Sequence, residues 1–292
     1  MKRLVYFTLS VMLIFTLSAC SNNKAGSVSI DTDDIIVSSS VSTSAEESLS
    51  VSDDQITSAS NEENNSSEPT DVETVESVAD INEIPIKFVE RFVGLTSFKG
   101  VTDGQTNAFI TQKIDSVLIR NGDKVYFQTV SDSSLVHTSL TSYFYNGKVN
   151  YKYKDEDFTV VGLSEYLDKF GVNPVGRAIE GFVVNAETIL SVEKLQTESN
   201  YSFKVRLDPD KSSAANKVQT KEFGGLGAEP VFKSVELVLT MDKYFNPITV
   251  ELTTEYTINM LFDIDCVQHY IVTYTNVNGE VSVPDEQHFN QL

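Results

Sequence analysis

The side chains best suited to catalysis or metal binding are few in this 292-residue chain and form no known motif. Its three histidines are His137, His269 and His288. None belongs to a His-Glu-x-x-His pattern, and catalytic zinc needs three protein ligands at suitable spacing. The chain also lacks the Gly-x-Ser-x-Gly elbow of serine hydrolases. We therefore expect no metal site and no cofactor.

Acidic residues occur close together in three places, at 155–157, 208–210 and 263–265. Paired carboxylates hydrolyse glycosides when a cleft holds them about 5 to 10 Å apart. Each group, however, falls at a predicted turn, where Asp is favoured because its side chain hydrogen-bonds the local backbone. The sequence therefore favours a protein that is not an enzyme, and a hydrolase with an unfamiliar site is the alternative.

The N-terminus has the pattern of an export signal. Met1-Lys2-Arg3 precedes an apolar run over 4–17, which is shorter than the roughly 20 residues of a membrane span. The next residues, Ser18-Ala19-Cys20, resemble the lipobox of bacterial lipoproteins. This resemblance implies cleavage before Cys20 and a diacylglyceryl group on its sulfur, which would anchor the protein to the extracytoplasmic face of the cell membrane. A plain secretory signal and an uncleaved anchor helix are the alternatives.

Residues 21–80 are rich in Ser, Thr, Asn and acidic side chains. They contain 14 acids and one base, and so hold most of the net charge of -20. Such composition cannot offset the entropy of ordering the chain, so we expect a disordered linker here. The acidic balance also argues against nucleic acid as a partner, because binding to phosphates requires clustered Lys and Arg.

Residues 81–292 predict an α+β domain that is mainly β. Asn121-Gly122 and Asn146-Gly147 separate alternating segments, and Asn-Gly is typical of two-residue hairpin turns. Helices are expected at 164–170, where Gly171 follows, and at 211–223, where Gly224 follows. The segment 84–93 fits a helix or a strand. Cys266 has no partner once Cys20 is acylated, and we expect it to be a small buried hydrophobe.

The domain resembles the LolA/LppX-type lipoprotein fold. The segments that carry the resemblance are 143–151, 201–208, 238–248 and 281–284. The resemblance implies a strongly curved antiparallel sheet that forms an incomplete barrel, with a few helices over its concave face. It also implies an apolar cavity between sheet and helices, which holds acyl chains in relatives.

Alternating apolar side chains in the predicted strands are the candidates for lining such a cavity. These are Phe203, Val205, Leu237, Leu239, Leu252, Tyr256, Val272 and Tyr274. A cavity lined by them would bind a lipid or another apolar or amphipathic ligand without catalysis. The same side chains would equally suit a fully packed core. In that case the domain would be a protein-interaction or envelope-structural module that binds a protein partner through its sheet.

Overall fold

The computed structural model describes residues 73–174, 178–223, 228–259 and 262–292. The predicted signal peptide, Cys20 and nearly all of the predicted linker lie outside these residues. Within the described ranges, no helix combines the length and the apolar character needed to cross a membrane. The folded domain begins earlier than predicted, because Val75 is buried in the core and its N–H donates to the Lys243 carbonyl at 2.9 Å.

The first half of the sheet consists of six strands in chain order, each antiparallel to the one before. They are β1 (Ser97–Asn107), β2 (Thr111–Asn121), β3 (Lys124–Asp132), β4 (His137–Tyr145), β5 (Lys148–Tyr153) and β6 (Thr159–Gly162). The second half is also an antiparallel meander. Its strands are β9 (Ile189–Leu195), β10 (Tyr201–Leu207), β11 (Pro230–Met241), β12 (Pro247–Asn259) and β13 (Asp263–Thr275).

The two halves join where β1 pairs with β13, which gives one sheet of eleven strands in the order β6-β5-β4-β3-β2-β1-β13-β12-β11-β10-β9. The two end strands do not pair with each other, so the sheet is not closed into a barrel. The protein is therefore mainly β with an open antiparallel sheet and a few helices. Register shifts at Phe232/Ser234 and Thr240/Met241 mark bulges in β11, and bulges bend a strand and increase its twist.

Four α-helices, three 3₁₀ helices and a small hairpin complete the described part of the domain. The α-helices are α1 (Ile84–Val93), α2 (Leu163–Phe170), α3 (Pro209–Ser212) and α4 (Ala214–Phe223), and the hairpin pairs β7 (Ala178–Ile179) with β8 (Phe182–Val183). The 3₁₀ helices are Val75–Ser77, Ile81–Glu83 and Glu286–Gln291. The segment 84–93 is thus a helix, and its buried side chains recur at helical spacing. The predicted helix at 164–170 is confirmed, with Gly171 ending it in the left-handed conformation at φ 65°. The predicted helix at 211–223 is interrupted at Ser213.

One of the two hairpin turns lies where it was predicted, and the other lies one residue later. Asn146 and Gly147 have φ values of 50° and 71° between the paired residues Tyr145 and Lys148, which confirms the prediction. The other turn lies one residue later than predicted, because Asn121 is the last residue of β2 and pairs with Lys124. Gly122 is therefore the first central residue, at φ 60°. Glycine is the preferred first central residue of a type II′ turn, whereas an Asn-Gly pair is preferred in a type I′ turn.

The four α-helices pack on one face of the sheet, which we call the helix face. We call the opposite face the outer face. On the helix face one apolar cluster lies under α1 and on β10 to β13, and a second joins α2 to β3, β4 and β5. On the outer face the C-terminal segment packs Val283 and Phe289 against Ile119, Tyr126 and Tyr143. The two helix-face clusters flank the centre of the sheet, where the candidate site lies.

Candidate functional site

The central strands present small side chains to the helix face. Alternation along β1 places Gly100, Thr102, Gly104 and Thr106 on that face, because successive side chains of a strand point to opposite sides. Strands β2 and β3 continue the small surface with Ser116, Thr129 and Ser131. We call these seven residues the trough.

Strand register shows that larger side chains flank the trough. Thr102 lies between Val272 of β13 and Ser116 of β2, and Ser116 in turn pairs with Thr129 of β3. These residues form one row across the sheet. The row continues to large residues at both ends, with Val250 of β12 beside Val272 and Leu140 of β4 beside Thr129. Side chains that are small in the middle of a row and large at its ends leave space beneath any element that spans the sheet.

Two glycines of the trough make room for tyrosines of β13. A Cβ atom at Gly104 would lie 2.2 Å from the Cβ of Tyr270, and one at Gly100 would lie 3.2 Å from the ring of Tyr274. Burial raises the pKa of both phenols well above the ordinary value, so their hydroxyl groups are neutral donors. The centre of the sheet therefore combines small residues with two buried tyrosines.

Helix α4 and the β7–β8 hairpin cover the trough, and together they form what we call the lid. Gln219 donates to the carbonyl of Gly171 at 3.0 Å, and Asn216 donates to the carbonyl of Glu180 at 3.1 Å. Gly171 fits closely, since a Cβ atom there would lie 2.5 Å from the Ala215 carbonyl oxygen. At its C-terminal end α4 meets the sheet, where Gln112 donates to the carbonyl of Phe223 at 3.3 Å.

Open space remains between the lid and the trough. The central cleft has a volume of about 100 Å³, and a neighbouring cleft of about 80 Å³ extends toward Phe92 and Tyr274. A third, of about 50 Å³, extends toward Phe109 and Cys266. Neighbouring clefts share wall residues. Phe127, Val172, Glu180 and Gln219 belong to the first two, and Thr106, Gln112 and Tyr256 to the first and third.

The lining of these clefts changes from apolar to polar along the sheet. The ends are mainly apolar, with Phe92, Leu118 and Ile179 at one and Phe109, Leu135 and Ile258 at the other. The middle carries hydroxyl and amide groups from the trough and the lid. Such a lining suits an elongated ligand that has both apolar and uncharged polar parts.

Glu180 is the ionisable carboxyl group in the walls of both the central cleft and its neighbour. It occupies the tip of the β7–β8 hairpin in the left-handed conformation at φ 51°, which is unusual for a residue with a side chain. Burial raises the pKa of its carboxyl group to about 7. Among the residues that the structure describes, neither cleft has a Lys or Arg in its walls.

The eight predicted cavity residues occupy two different environments. Tyr256 lines the central cleft and Tyr274 lines its neighbour. The remaining six are buried in the packed cluster on β10 to β13 and line none of the clefts named above: Phe203, Val205, Leu237, Leu239, Leu252 and Val272. That all eight line a ligand cavity stays a prediction.

Sequence reasoning did not identify the trough because small alternating residues resemble a loop. The signal was present in Gly100-x-Thr102-x-Gly104-x-Thr106, where every second residue is small. The two glycines in this segment are also the reason that β1 was not predicted, because Gly is depleted in strands. Glu180 was missed as well, because an isolated acid before a glycine is typical of an exposed turn.

Two other sequence predictions concern single residues of β13. Cys266 is buried, as predicted, and burial raises the pKa of its thiol to about 11. The prediction that 263–265 forms a turn was wrong, because Asp263 and Asp265 begin β13, where Lys233 of β11 forms an ion pair with Asp265 at 2.6 Å. The ion pair reaches across β12, which lies between the two strands, and Thr257 of β12 also donates to Asp265 at 2.9 Å.

The solved structures that are similar to this chain include the following three. LprF from Mycobacterium bovis is 11% identical, with 70% of this chain and 96% of that chain covered and a TM-score of 0.35. A DUF1329 family protein from Desulfovibrio piger is 9% identical, with 71% and 95% covered and a TM-score of 0.30. The LolA superfamily protein NE2245 from Nitrosomonas europaea is 12% identical, with 72% and 97% covered and a TM-score of 0.28.

No family model matches the chain, and no curated protein matches it. The three structural similarities are too low to carry a functional conclusion, so function has to be inferred from the trough and its lid.

Proposed function

We propose that this protein binds an amphipathic ligand, such as a lipid or an acyl chain, between the trough and the lid, and performs no chemistry on it. The observation that supports this function best is the run of three clefts with shared walls. A packed domain leaves few voids larger than a water molecule, whereas here small side chains lie beneath a lid that is fastened by hydrogen bonds.

The lining explains why an amphipathic ligand is favoured over a purely apolar one. Apolar side chains at the ends of the clefts would contact a hydrocarbon chain, whose burial contributes about 0.8 kcal/mol per CH₂ group. The hydroxyl and amide groups in the middle already bond one another, as Ser116 does with Thr129 at 2.7 Å. A hydroxyl or amide group that makes one bond still has donor or acceptor positions for a polar ligand group. A ligand with polar groups within its length would match both parts of the lining.

The proposed site of action is the extracytoplasmic face of the cell membrane. This part of the proposal rests on the lipobox-like sequence that ends at Cys20 and on the acidic, Ser-rich residues that follow it. A tether of this kind would keep the domain near the lipids from which an amphipathic ligand is drawn.

Native mass spectrometry of the whole chain, purified without added lipid or detergent, tests the proposed binding. We expect a mass increment of a few hundred daltons or more that disappears after extraction with organic solvent. The extract should contain a molecule with at least one acyl or other long apolar chain. Repeated recovery of a protein with no bound molecule, which also fails to bind added amphipaths, would favour the protein-interaction module instead.

A further inference from the structure

The strongest unexplained feature of the clefts is Glu180. It is an ionisable residue in a left-handed turn, in the walls of two clefts whose other described wall residues are uncharged. Its backbone is bound tightly to α4, because Asn216 donates to its carbonyl at 3.1 Å and a Cβ atom at Gly181 would lie 2.9 Å from Gln219. The hairpin tip therefore has little freedom to move Glu180 away from the cleft.

The carboxyl group of Glu180 accepts no hydrogen bond and forms no ion pair with the residues that the structure describes. Burial, not a neighbouring charge, accounts for its raised pKa. Glu180 is half-buried in an open cleft, so solvent can bond its carboxyl group in the absence of a ligand. A ligand that enters the cleft and displaces this water has to offer a hydrogen-bond donor or a cation in its place.

Aromatic rings surround the same position. Tyr274, Phe92 and Phe127 line the cleft beside Glu180, and Tyr270 lines the central cleft. The negative charge of Glu180 acts on the phenols of Tyr270 and Tyr274, where it raises their pKa further. A carboxylate among aromatic faces is a favourable environment for an ammonium group, which gains from both the charge and the rings.

From this geometry we propose that Glu180 binds a positively charged ammonium group on the amphipathic ligand, and that the protein selects cationic over anionic amphipaths. The proposal rests on the binding function put forward above and names the class of ligand for the same site. An anionic head group would meet the Glu180 carboxylate with no Lys or Arg among the described residues of the cleft walls to compensate it.

The charged groups that the structure describes around Glu180 are directed at other partners. On β2, Arg120 is directed at the end of α1, where it donates to the Val93 carbonyl at 2.9 Å. On α4, Glu222 is directed at Tyr153 of β5. The ionisable groups that face Glu180 from β13 are the phenols of Tyr270 and Tyr274, which are neutral.

Three probes with the same twelve-carbon chain test this proposal: dodecyltrimethylammonium, dodecyl maltoside and dodecyl sulfate, each below its micelle concentration. Isothermal titration calorimetry measures the binding of each probe to the whole chain without a reporter in the cleft walls. Glu180→Gln removes the charge and keeps the shape. Glu187→Gln is the matched control, since Glu187 is exposed and lies just beyond the same hairpin.

We expect the trimethylammonium probe to bind more tightly than the sulfate probe, and Glu180→Gln to weaken its binding by about 10- to 100-fold, as for a lost charge-assisted contact. Maltoside binding should change much less, and Glu187→Gln should change none of the three. The trimethylammonium group does not titrate, so its affinity should rise between pH 5.5 and pH 8.5 in the parent and stay constant in Glu180→Gln.

Two results would overturn the proposal while leaving the proposed function intact. In the first, the parent and Glu180→Gln bind all three probes with the same affinity. In the second, Glu180→Gln loses the same factor of affinity for all three probes. The second result would mean that Glu180 only positions the lid. Failure of every probe to bind the parent protein would overturn the proposed function together with this inference.

Discussion

Glu180 connects the ionisation of one side chain to the stability of the whole domain. Its pKa in the folded protein is about 7, against an ordinary value of 4.5. The folded state therefore holds the proton more tightly than the unfolded state does. Consequently the free energy of unfolding should fall as pH rises from about 4.5 to about 7, and then level off.

Glu180→Gln should abolish this pH dependence. At pH 4.5 the variant and the parent should be equally stable, because both carry a neutral side chain. At pH 8 the variant should be more stable by about 1 to 3 kcal/mol. Urea unfolding at the two pH values measures the difference, with Glu187→Gln as a control that should match the parent at both. If the difference in the free energy of unfolding between variant and parent is the same at both pH values, Glu180 is not the group with the raised pKa.

Gly104 should be intolerant of any side chain. Gly104→Ala would place a Cβ atom 2.2 Å from the Cβ of Tyr270, so the two strands would have to separate locally. We expect a loss of about 1 to 3 kcal/mol, as for overpacked cores. Gly162→Ala is the control, because no atom lies within 4 Å of a Cβ atom there. Equal unfolding midpoints for the two variants would show that the trough is looser than described.

Among the elements, the C-terminal segment should stabilise the sheet without contributing to the ligand site. Phe289 is buried on the outer face, with its ring 5.2 Å from that of Tyr143. Phe289→Ala should lower the free energy of unfolding by about 3 kcal/mol, as for other large-to-small changes in cores. Binding of amphipaths should be unchanged under conditions where the variant is folded, because the clefts lie on the helix face. A large loss of affinity in the folded variant would contradict this separation of the two faces.

The elements that the sequence predicts well are those whose local chemistry decides their structure. Gly171 ends α2 because a left-handed residue is needed there, and Asn146-Gly147 forms a two-residue turn for the same reason. Alternation also identified the apolar strands of the second half of the sheet. These are local signals, and none depends on which strands become neighbours.

The candidate site was less predictable because it arises from pairing between distant strands. The trough exists only because β1 lies between β2 and β13, which brings Thr102 next to Val272 across the sheet. The β7–β8 hairpin is another example, since only tertiary packing on α4 places Glu180 over the sheet. The spacing of residues along the chain indicates neither the strand order around β1 nor the packing of the hairpin on α4.

At the scale of the whole molecule, the proposal combines a tether at the N-terminus with a binding domain at 73–292. Cys20→Ser removes the sulfur that would be acylated. We expect the variant to leave the membrane fraction, because an unacylated chain loses the two acyl groups that make anchoring stable. Cys266→Ser is the matched control and should remain in the membrane fraction. Fractionation of cells that express each variant provides the measurement, and equal retention of both variants would contradict the lipid anchor.

The most direct test of ligand binding in the trough is a calorimetric titration of dodecyl maltoside, below its micelle concentration, into the parent protein and two variants. Thr102→Leu fills the centre of the trough, whereas Thr273→Leu adds the same bulk on the outer face of the neighbouring strand β13. We predict that the Thr102→Leu variant binds about tenfold more weakly, which corresponds to about 1.4 kcal/mol, and that the Thr273→Leu variant binds like the parent. Equal affinity in all three proteins would contradict a ligand site between the trough and the lid.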